Sequence, residues 1–270
     1  MHPKTLLQRY RIEPKPSLGQ NFLFDDEILG RIAATADLSP HDQILEIGPG
    51  LGTLTRHLAK TAVRVLAVEL DNRLLPVLQN ELAYFKNVDI IHGDILELNP
   101  ADLFDGPYKV VANVPYYITG AILRHLLTAV HKPTLMVLTV QKEVAERLKA
   151  VPPHMSLLAV SVQFYGMVQI SHIIKAGAFW PRPEVDSAVT RLDLFEEPLL
   201  PLAEEATFFR LVKAGFSQKR KQLHKNLGQL GLAKTVVVDL LAQAGIDGRR
   251  RAETLTIGEW TAVYQAYAKQ

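Results

Sequence analysis

Short apolar runs separated by polar turns mark the first half of the chain: Gln43 to Ile47, Val63 to Val68, Val88 to Ile91 and Tyr108 to Ala112. Runs of this length bounded by Gly, Asp and Asn read as buried strands rather than helices. Helical stretches fill the intervals as far as Gln141, and this alternation predicts an α/β fold built on a mostly parallel, doubly wound sheet. Ala159 to Phe164 and Ala188 to Phe195 are two further β-rich runs joined by a loop, so an antiparallel hairpin is predicted at one edge of the sheet. Two prolines and two acids then break the pattern at Glu196-Glu197-Pro198-Leu199-Leu200-Pro201. Beyond them the apolar spacing is helical, at Phe208, Leu211, Val212 and Phe216, at Val236 to Leu241, and at Ile257 to Tyr267. The expected division is an α/β domain over residues 1–196 and a small all-α domain over residues 197–270.

The turns after the strands carry the candidate chemistry. In Glu46-Ile47-Gly48-Pro49-Gly50-Leu51-Gly52 the glycines let the backbone turn sharply and approach a ligand where a Cβ would collide. A dinucleotide fingerprint needs its third glycine one residue later; the alternating spacing, with an acid two residues before Gly48, argues against it. Glu69 ends the second strand, where a carboxylate is placed to accept both hydroxyls of a ribose. Asp94, after the third strand, is placed to accept a hydrogen bond from an adenine amino group. The fourth strand runs into Asn113-Val114-Pro115-Tyr116. An exocyclic aromatic amine is a poor nucleophile because its lone pair is delocalised into the ring. The Asn113 side-chain oxygen and a carbonyl of the Val114-Pro115 segment would accept its two N–H bonds and turn the lone pair toward a methyl donor. Pro115 makes the corner rigid and Tyr116 offers a flat face to a base. Each feature alone also fits an ordinary turn; their order along one chain favours a nucleoside-bearing donor and an amine acceptor.

That order, preceded by Gly19-Gln20-Asn21-Phe22-Leu23 and followed by Phe179-Trp180-Pro181-Arg182-Pro183-Glu184-Val185-Asp186-Ser187 and by Phe216-Ser217-Gln218-Lys219-Arg220-Lys221-Gln222-Leu223, resembles the ribosomal RNA adenine N6,N6-dimethyltransferases. The likeness spans nearly the full length and is nearer to the small-subunit (16S) type. It implies a class I methyltransferase with a Rossmann-like sheet, an enzyme that uses S-adenosylmethionine to dimethylate two adjacent adenosines near the 3′ end of 16S rRNA during biogenesis of the small ribosomal subunit. It also implies that Asn21 and Leu23 join Gly48, Gly50, Glu69, Asp94 and Asn113 around the donor, and that Asn113, Pro115 and Tyr116 form the catalytic corner. Phe179 would face Tyr116 and clamp a flipped adenine, offsetting part of the lost base stacking; without the resemblance, Phe179 reads as a core aromatic beside a proline turn. The chain departs from the family at Val151-Pro152-Pro153-His154-Met155-Ser156-Leu157, where a longer loop with Tyr-Gly-x-Leu-Ser is usual, so no RNA contact is carried over there.

A formal net charge of +2 does not by itself mark a nucleic-acid binder, but the distribution does more. Lys213, Lys219, Arg220, Lys221, His224 and Lys225 crowd one stretch, Arg249, Arg250 and Arg251 another, and Lys4, Arg9, Arg11 and Lys15 the first residues. Of these, Lys219, Arg220, Lys221, Lys225, Arg249 and Arg250 are the expected RNA contacts, holding phosphates while a base is extruded; the alternative is a solvated helical face. The absence of cysteine excludes disulfides and thiolate metal sites, and the nine histidines show no tight ligand spacing, so no metal is expected. With no apolar leader in the first twenty residues and no run long enough to cross a bilayer, a cytoplasmic protein is expected, monomeric for want of a heptad repeat. Three other functions stay open: a large-subunit rRNA adenine methyltransferase conferring macrolide resistance, a ribosome-assembly factor whose binding matters more than its catalysis, and a small-molecule amine methyltransferase, which the basic C-terminal stretch disfavours.

Overall fold

The computed structural model describes residues 2–269. Two compact units divide the chain: the residues up to Ala145 with Met167–Leu194, and Glu146–Gly166 with Phe195 onward. The first unit contains β1 (Phe22–Leu23), β2 (Gln43–Ile47), β3 (Arg64–Glu69), β4 (Val88–His92), β5 (Tyr108–Asn113), β6 (Leu135–Gln141), β7 (Gly166–Ile174), β8 (Phe179–Trp180) and β9 (Ser187–Leu194). Seven of these form one sheet in the order β4-β3-β2-β5-β6-β9-β7, while β1 and β8 pair separately. From β4 to β6 every pairing is parallel; β9 then runs antiparallel to β6, with Gln141 opposite Ser187. The four expected parallel strands stand within one or two residues of their predicted bounds.

Ile44, Leu45, Val65, Leu66, Val110, Val111, Met136 and Val137 are all buried. A strand buried on both faces must be apolar along its length, which is why these segments read as continuous runs rather than alternations. On one side of the sheet the helices Asp26–Thr35 and Thr53–Leu58 pack Leu29, Ile32, Leu54 and Leu58 against Ile44, Val65 and Val111. The Asp25 carboxylate caps the first of these helices, accepting from the Ile28 N–H at 3.0 Å. A helix at Pro3–Arg9 buries Leu6 and Leu7 among Phe22, Leu51, Leu74 and Val77, and leaves Lys4 and Arg9 outside.

The predicted edge hairpin needs correction. The run Ala159–Phe164 is not a strand; Leu157–Gln163 is a helix, capped by the Ser156 hydroxyl, which accepts from the Ala159 N–H at 3.1 Å. A short run rich in β-branched residues cannot be told from a buried helix by periodicity, and tertiary packing decides it. Here Phe164 stacks on Phe208 at 4.7 Å within the second unit. The true partner of β9 at the sheet edge is β7. Segment 146–166, expected within the first domain, thus belongs to the second unit, whereas the break after β9 at Leu194 lies two residues from the expected boundary.

The second unit adds the helices Glu205–Gly215, Leu223–Leu227, Lys234–Gln243 and Ile257–Ala268, which cover the three expected helical stretches. The atypical segment 151–157 is fixed here: the Met155 N–H donates to the Glu253 carbonyl at 3.0 Å, and Gln163 Nε2 donates to the carbonyls of Leu148 and Ala150. Trp260 is fully buried, and a Cβ at Gly215 would collide with its ring. Gly215→Ala should therefore lower stability by about 1–3 kcal/mol, whereas Gly258→Ala, whose Cβ would meet Thr256 Oγ1 at an unstrained 3.9 Å, should be neutral or stabilising. Urea unfolding followed by Trp260 fluorescence in a Trp180→Phe background measures both.

Candidate active site

The loops after β2, β3, β4 and β5 all leave the sheet at its carboxyl edge, where they line one crevice with residues Leu18–Leu23. β2 and β5 are neighbours, yet the chain continues from β2 toward β3 on one side and from β5 toward β6 on the other. Their loops diverge, and a crevice is left at this switch point, the position where open α/β sheets bind ligands.

In the β2 loop Gly48, Gly50 and Gly52 all have left-handed backbone, with φ of 66°, 59° and 71°. At Gly50 a Cβ would lie 3.1 Å from the Phe22 ring, so only glycine lets the N-terminal segment lie against this turn. Glu69 is held from both sides: Oε2 accepts from the Gly50 N–H at 3.0 Å and Oε1 from the Asp71 N–H at 2.8 Å. Burial pushes its carboxyl up and these backbone bonds oppose the shift. Each oxygen keeps a further lone pair for a ligand hydroxyl. Asp94 caps the turn Ile95–Glu97 through Oδ1, which accepts from the Leu96 N–H at 2.9 Å, and its side of the turn lines the crevice.

Asn113 ends β5 opposite Thr139. Its Nδ2 donates to the Asn21 carbonyl at 3.4 Å, and Oδ1 has no hydrogen-bond partner among the described residues. The Pro115 carbonyl accepts from the Ile118 N–H at 3.2 Å, whereas the Val114 carbonyl accepts no backbone hydrogen bond among the described residues. The corner thus offers two acceptors, Asn113 Oδ1 and the Val114 carbonyl. Gly19 lies over it, so close that a Cβ there would be 3.2 Å from both Pro115 and the Tyr117 ring. Tyr116 lines the crevice, and its hydroxyl lies 2.6 Å from Ser187 Oγ. Asn21 and Leu23 also line it; Asn21 Nδ2 donates to the Gly19 carbonyl, and the Leu23 carbonyl accepts from Thr53 Oγ1 at 3.0 Å.

Phe179 is the exception. It is 3% exposed, opposite Leu23 in the β1–β8 pair, and packs in the core with Leu29, Ile174 and Val189. It is not part of the crevice wall, whose aromatic rings are Phe22, Tyr116 and Tyr117. The expected face-to-face clamp with Tyr116 is absent because the strand pair turns this ring inward behind Leu23.

Two features escaped sequence reasoning. Glu46 lines the crevice at 1% exposure with Oε2 unpartnered, and burial, with Glu69 nearby, pushes its carboxyl up to about 8. The sequence marks it as the acid two residues before Gly48 but gives it no place among the donor residues. Gln20, inside a recognised motif, donates to Asp71 Oδ2 at 2.8 Å, and Arg73 Nη2 reaches the same oxygen at 2.6 Å while its Nη1 donates to the Glu13 carbonyl. The guanidinium, with these bonds, holds the Asp71 carboxyl down to about 2. This network pins the N-terminal segment to the residue that orients Glu69.

In the second unit Lys219, Arg220, Lys221 and Lys225 are exposed. The two basic stretches meet, because the Leu223 N–H donates to the Arg250 carbonyl at 2.7 Å and the His224 N–H to the Gly248 carbonyl at 3.1 Å. Asn226 fixes the first stretch by donating to the carbonyls of Gly215 and Gln218. Arg250, however, is engaged internally with the Glu259 carboxylate and the Thr254 carbonyl, and Arg249 pairs with Asp247 at 3.0 Å. Arg250 is therefore a brace within the unit rather than a free cation.

The ribosomal RNA adenine dimethylase family matches residues 12–269. The chain is 44% identical over 268 residues to ribosomal RNA small subunit methyltransferase A of Dehalococcoides mccartyi (strain CBDB1), covering 98% of this chain and 92% of the relative. It is 41% identical over 268 residues to the protein of the same name from Listeria monocytogenes serotype 4b, covering 94% and 91%. Among solved structures, the 23S rRNA methyltransferase ErmE superposes with a TM-score of 0.77 at 30% identity, covering 91% of this chain and 99% of the other. A dimethyladenosine transferase from Plasmodium falciparum shares the fold, with a TM-score of 0.82 at 24% identity over 92% and 98% of the two chains. With this crevice and with likeness along nearly its whole length, the chain belongs to the ribosomal RNA adenine dimethylase family.

Proposed function

We propose that the protein transfers methyl groups from S-adenosylmethionine to N6 of two adjacent adenosines near the 3′ end of 16S rRNA, within the immature small ribosomal subunit, and that it acts as a cytoplasmic monomer. The observation that carries this reading is the Asn113 corner, where two free acceptors stand in the same crevice as Glu69 and the glycine turn. Higher identity to the small-subunit enzymes, 44% and 41%, than to the 23S enzyme, 30%, favours small-subunit RNA as substrate.

When bound, S-adenosylmethionine supplies an electrophilic methyl group carried on a positively charged sulfur. Glu69 would hold the ribose hydroxyls and Asp94 the adenine amino group, with Gly48, Gly50, Asn21 and Leu23 forming the walls. Glu46, buried and unpartnered on one oxygen, suits a cationic group of the donor. On the acceptor side, Asn113 Oδ1 and the Val114 carbonyl accept the two N–H bonds of N6, so that its lone pair points at the methyl carbon. The nitrogen–carbon bond forms as the carbon–sulfur bond breaks, and the surplus proton then leaves to water. No ionised base is required, and orientation supplies most of the rate. One N–H remains after the first transfer, which permits a second. Tyr116 gives the base its stacking face, and Phe179 supports the crevice from behind through Leu23. Lys219, Arg220, Lys221 and Lys225 would bind RNA phosphates, with Arg249 joining once it leaves Asp247.

Transfer of labelled methyl groups to unmethylated small-subunit particles and to large-subunit RNA, followed by nucleoside analysis, tests the reading. Dimethyladenosine is expected in the small-subunit RNA alone, and Asn113→Ala should lower the rate at least about 100-fold while the particle still binds. Label confined to large-subunit RNA would reassign the substrate, and normal subunit assembly with Asn113→Ala would make binding the main contribution.

Glu46 generates a pH prediction. Its folded value of about 8 exceeds the ordinary 4.5, so the folded protein keeps a proton that the unfolded chain releases. The group's contribution to stability is therefore full at low pH and is lost as pH rises toward 8. Glu46→Gln should resist urea better than the wild type at about pH 8.5 but not at about pH 5. Binding of a cationic donor near neutral pH should release a proton, seen as a buffer-dependent heat in calorimetry, and Glu46→Gln should abolish that release.

A further inference from the structure

Two neighbouring tyrosines on the crevice wall are held very differently. The Tyr117 ring is 58% exposed, and its hydroxyl has no hydrogen-bond partner among the described residues. Tyr116 is gripped at both ends. At its backbone, Pro115 precedes it and its carbonyl accepts from Thr119 Oγ1 at 3.2 Å. At the far end of the ring its hydroxyl shares a hydrogen bond of 2.6 Å with Ser187 Oγ.

Ser187 is itself immobile. It is fully buried, at the first position of β9, opposite Gln141 in the antiparallel pairing with β6. The preceding residue is anchored three ways: Asp186 Oδ2 pairs with Lys175 Nζ at 2.8 Å, Oδ1 accepts from the Ala176 N–H at 3.0 Å, and its carbonyl accepts from the Lys142 N–H at 3.0 Å. The sheet thus fixes Ser187, and Ser187 fixes the tilt of the Tyr116 ring. Burial also raises the phenol, which keeps it neutral and able to share this bond.

We propose that Ser187 is a positioning residue for methyl transfer, locking the Tyr116 ring plane so that a stacked adenine presents N6 squarely to the acceptors at Asn113 and Val114. This inference rests on the reading that the target base stacks on Tyr116. The lock matters most for the second transfer. An unmodified N6 has two N–H bonds, and two acceptors define its orientation. A monomethylated N6 has one N–H, so a single hydrogen bond leaves a rotation that only the stacking face restrains. A loosened ring should therefore slow the second methylation more than the first.

The test compares Ser187→Ala, Tyr116→Phe, the double variant and Tyr116→Ala on unmethylated small-subunit particles. The readouts are kcat, KM for RNA, donor affinity and the ratio of mono- to dimethyladenosine. Ser187→Ala and Tyr116→Phe should each lower kcat about ten-fold and accumulate monomethyladenosine, with donor affinity unchanged. The double variant should be no worse than the worse single one, because both substitutions remove the same bond. If Ser187→Ala fails to fold, Tyr116→Phe still removes the bond with the ring intact. Wild-type kcat and product ratio in Ser187→Ala or Tyr116→Phe, with Tyr116→Ala inactive, would overturn the inference while leaving the stacking reading intact. Losses that multiply in the double variant would also overturn it. Full activity of Tyr116→Ala would overturn the stacking reading and this inference with it.

Discussion

The order of strands around β2 and β5 is the constraint on which the site depends. Because β3 and β4 lie beyond β2 while β6 lies beyond β5, the loops leaving β2 and β5 part and open a crevice at the carboxyl edge. Four of the groups assigned to the donor then fall at strand ends of this sheet: the glycine turn after β2, Glu69 at the end of β3, Asp94 after β4 and Asn113 at the end of β5. Strand ends in a buried parallel sheet are held rigidly by the ladder and the core beneath them. The side chains there inherit that rigidity, and the few hydrogen bonds they make still leave acceptor lone pairs for a ligand.

The chemistry suits such a site. Methylating an aromatic amine needs no strong base; it needs a lone pair held in one direction, and that is a matter of fixed acceptors. The hydrogen bonds seen in the crevice do this work indirectly. Asn21 takes the Asn113 amide nitrogen and exposes the oxygen, and the N–H groups of Gly50 and Asp71 orient the Glu69 carboxylate. The N-terminal segment participates as structure, since Gly19 covers Pro115 and Gln20 reaches Asp71. Burial raises the carboxyls of both Glu46 and Glu69, a shift that a cation placed in the crevice would oppose.

Much of this could be read from the sequence because strand-end chemistry is local. The glycines of 48–52, Glu69, Asp94 and Asn113 each follow an apolar run, and their order survives folding unchanged. What could not be read depends on tertiary partners. Phe179 was expected in the wall, yet the β1–β8 pairing turns it into the core. Arg250 stands in the sequence as one of three consecutive arginines, and nothing in that spacing tells that Glu259, nine residues on, pairs with its guanidinium. The run around the helix Leu157–Gln163 reads as a strand because it is short and rich in β-branched residues, whereas Phe164, which caps that helix, stacks on Phe208 from a distant part of the chain. Ser187 was visible as part of a motif, but nothing in its spacing says that its hydroxyl meets Tyr116, 71 residues earlier.

The most direct measurement is a crystal structure of the protein with S-adenosylhomocysteine and adenosine soaked together. The ribose hydroxyls of the first should lie on the Glu69 carboxylate and its adenine amine on Asp94, while the second ligand places N6 between Asn113 Oδ1 and the Val114 carbonyl, facing the sulfur. A nucleoside bound away from Glu69, or an N6 directed away from the sulfur, would contradict the assignment of this crevice.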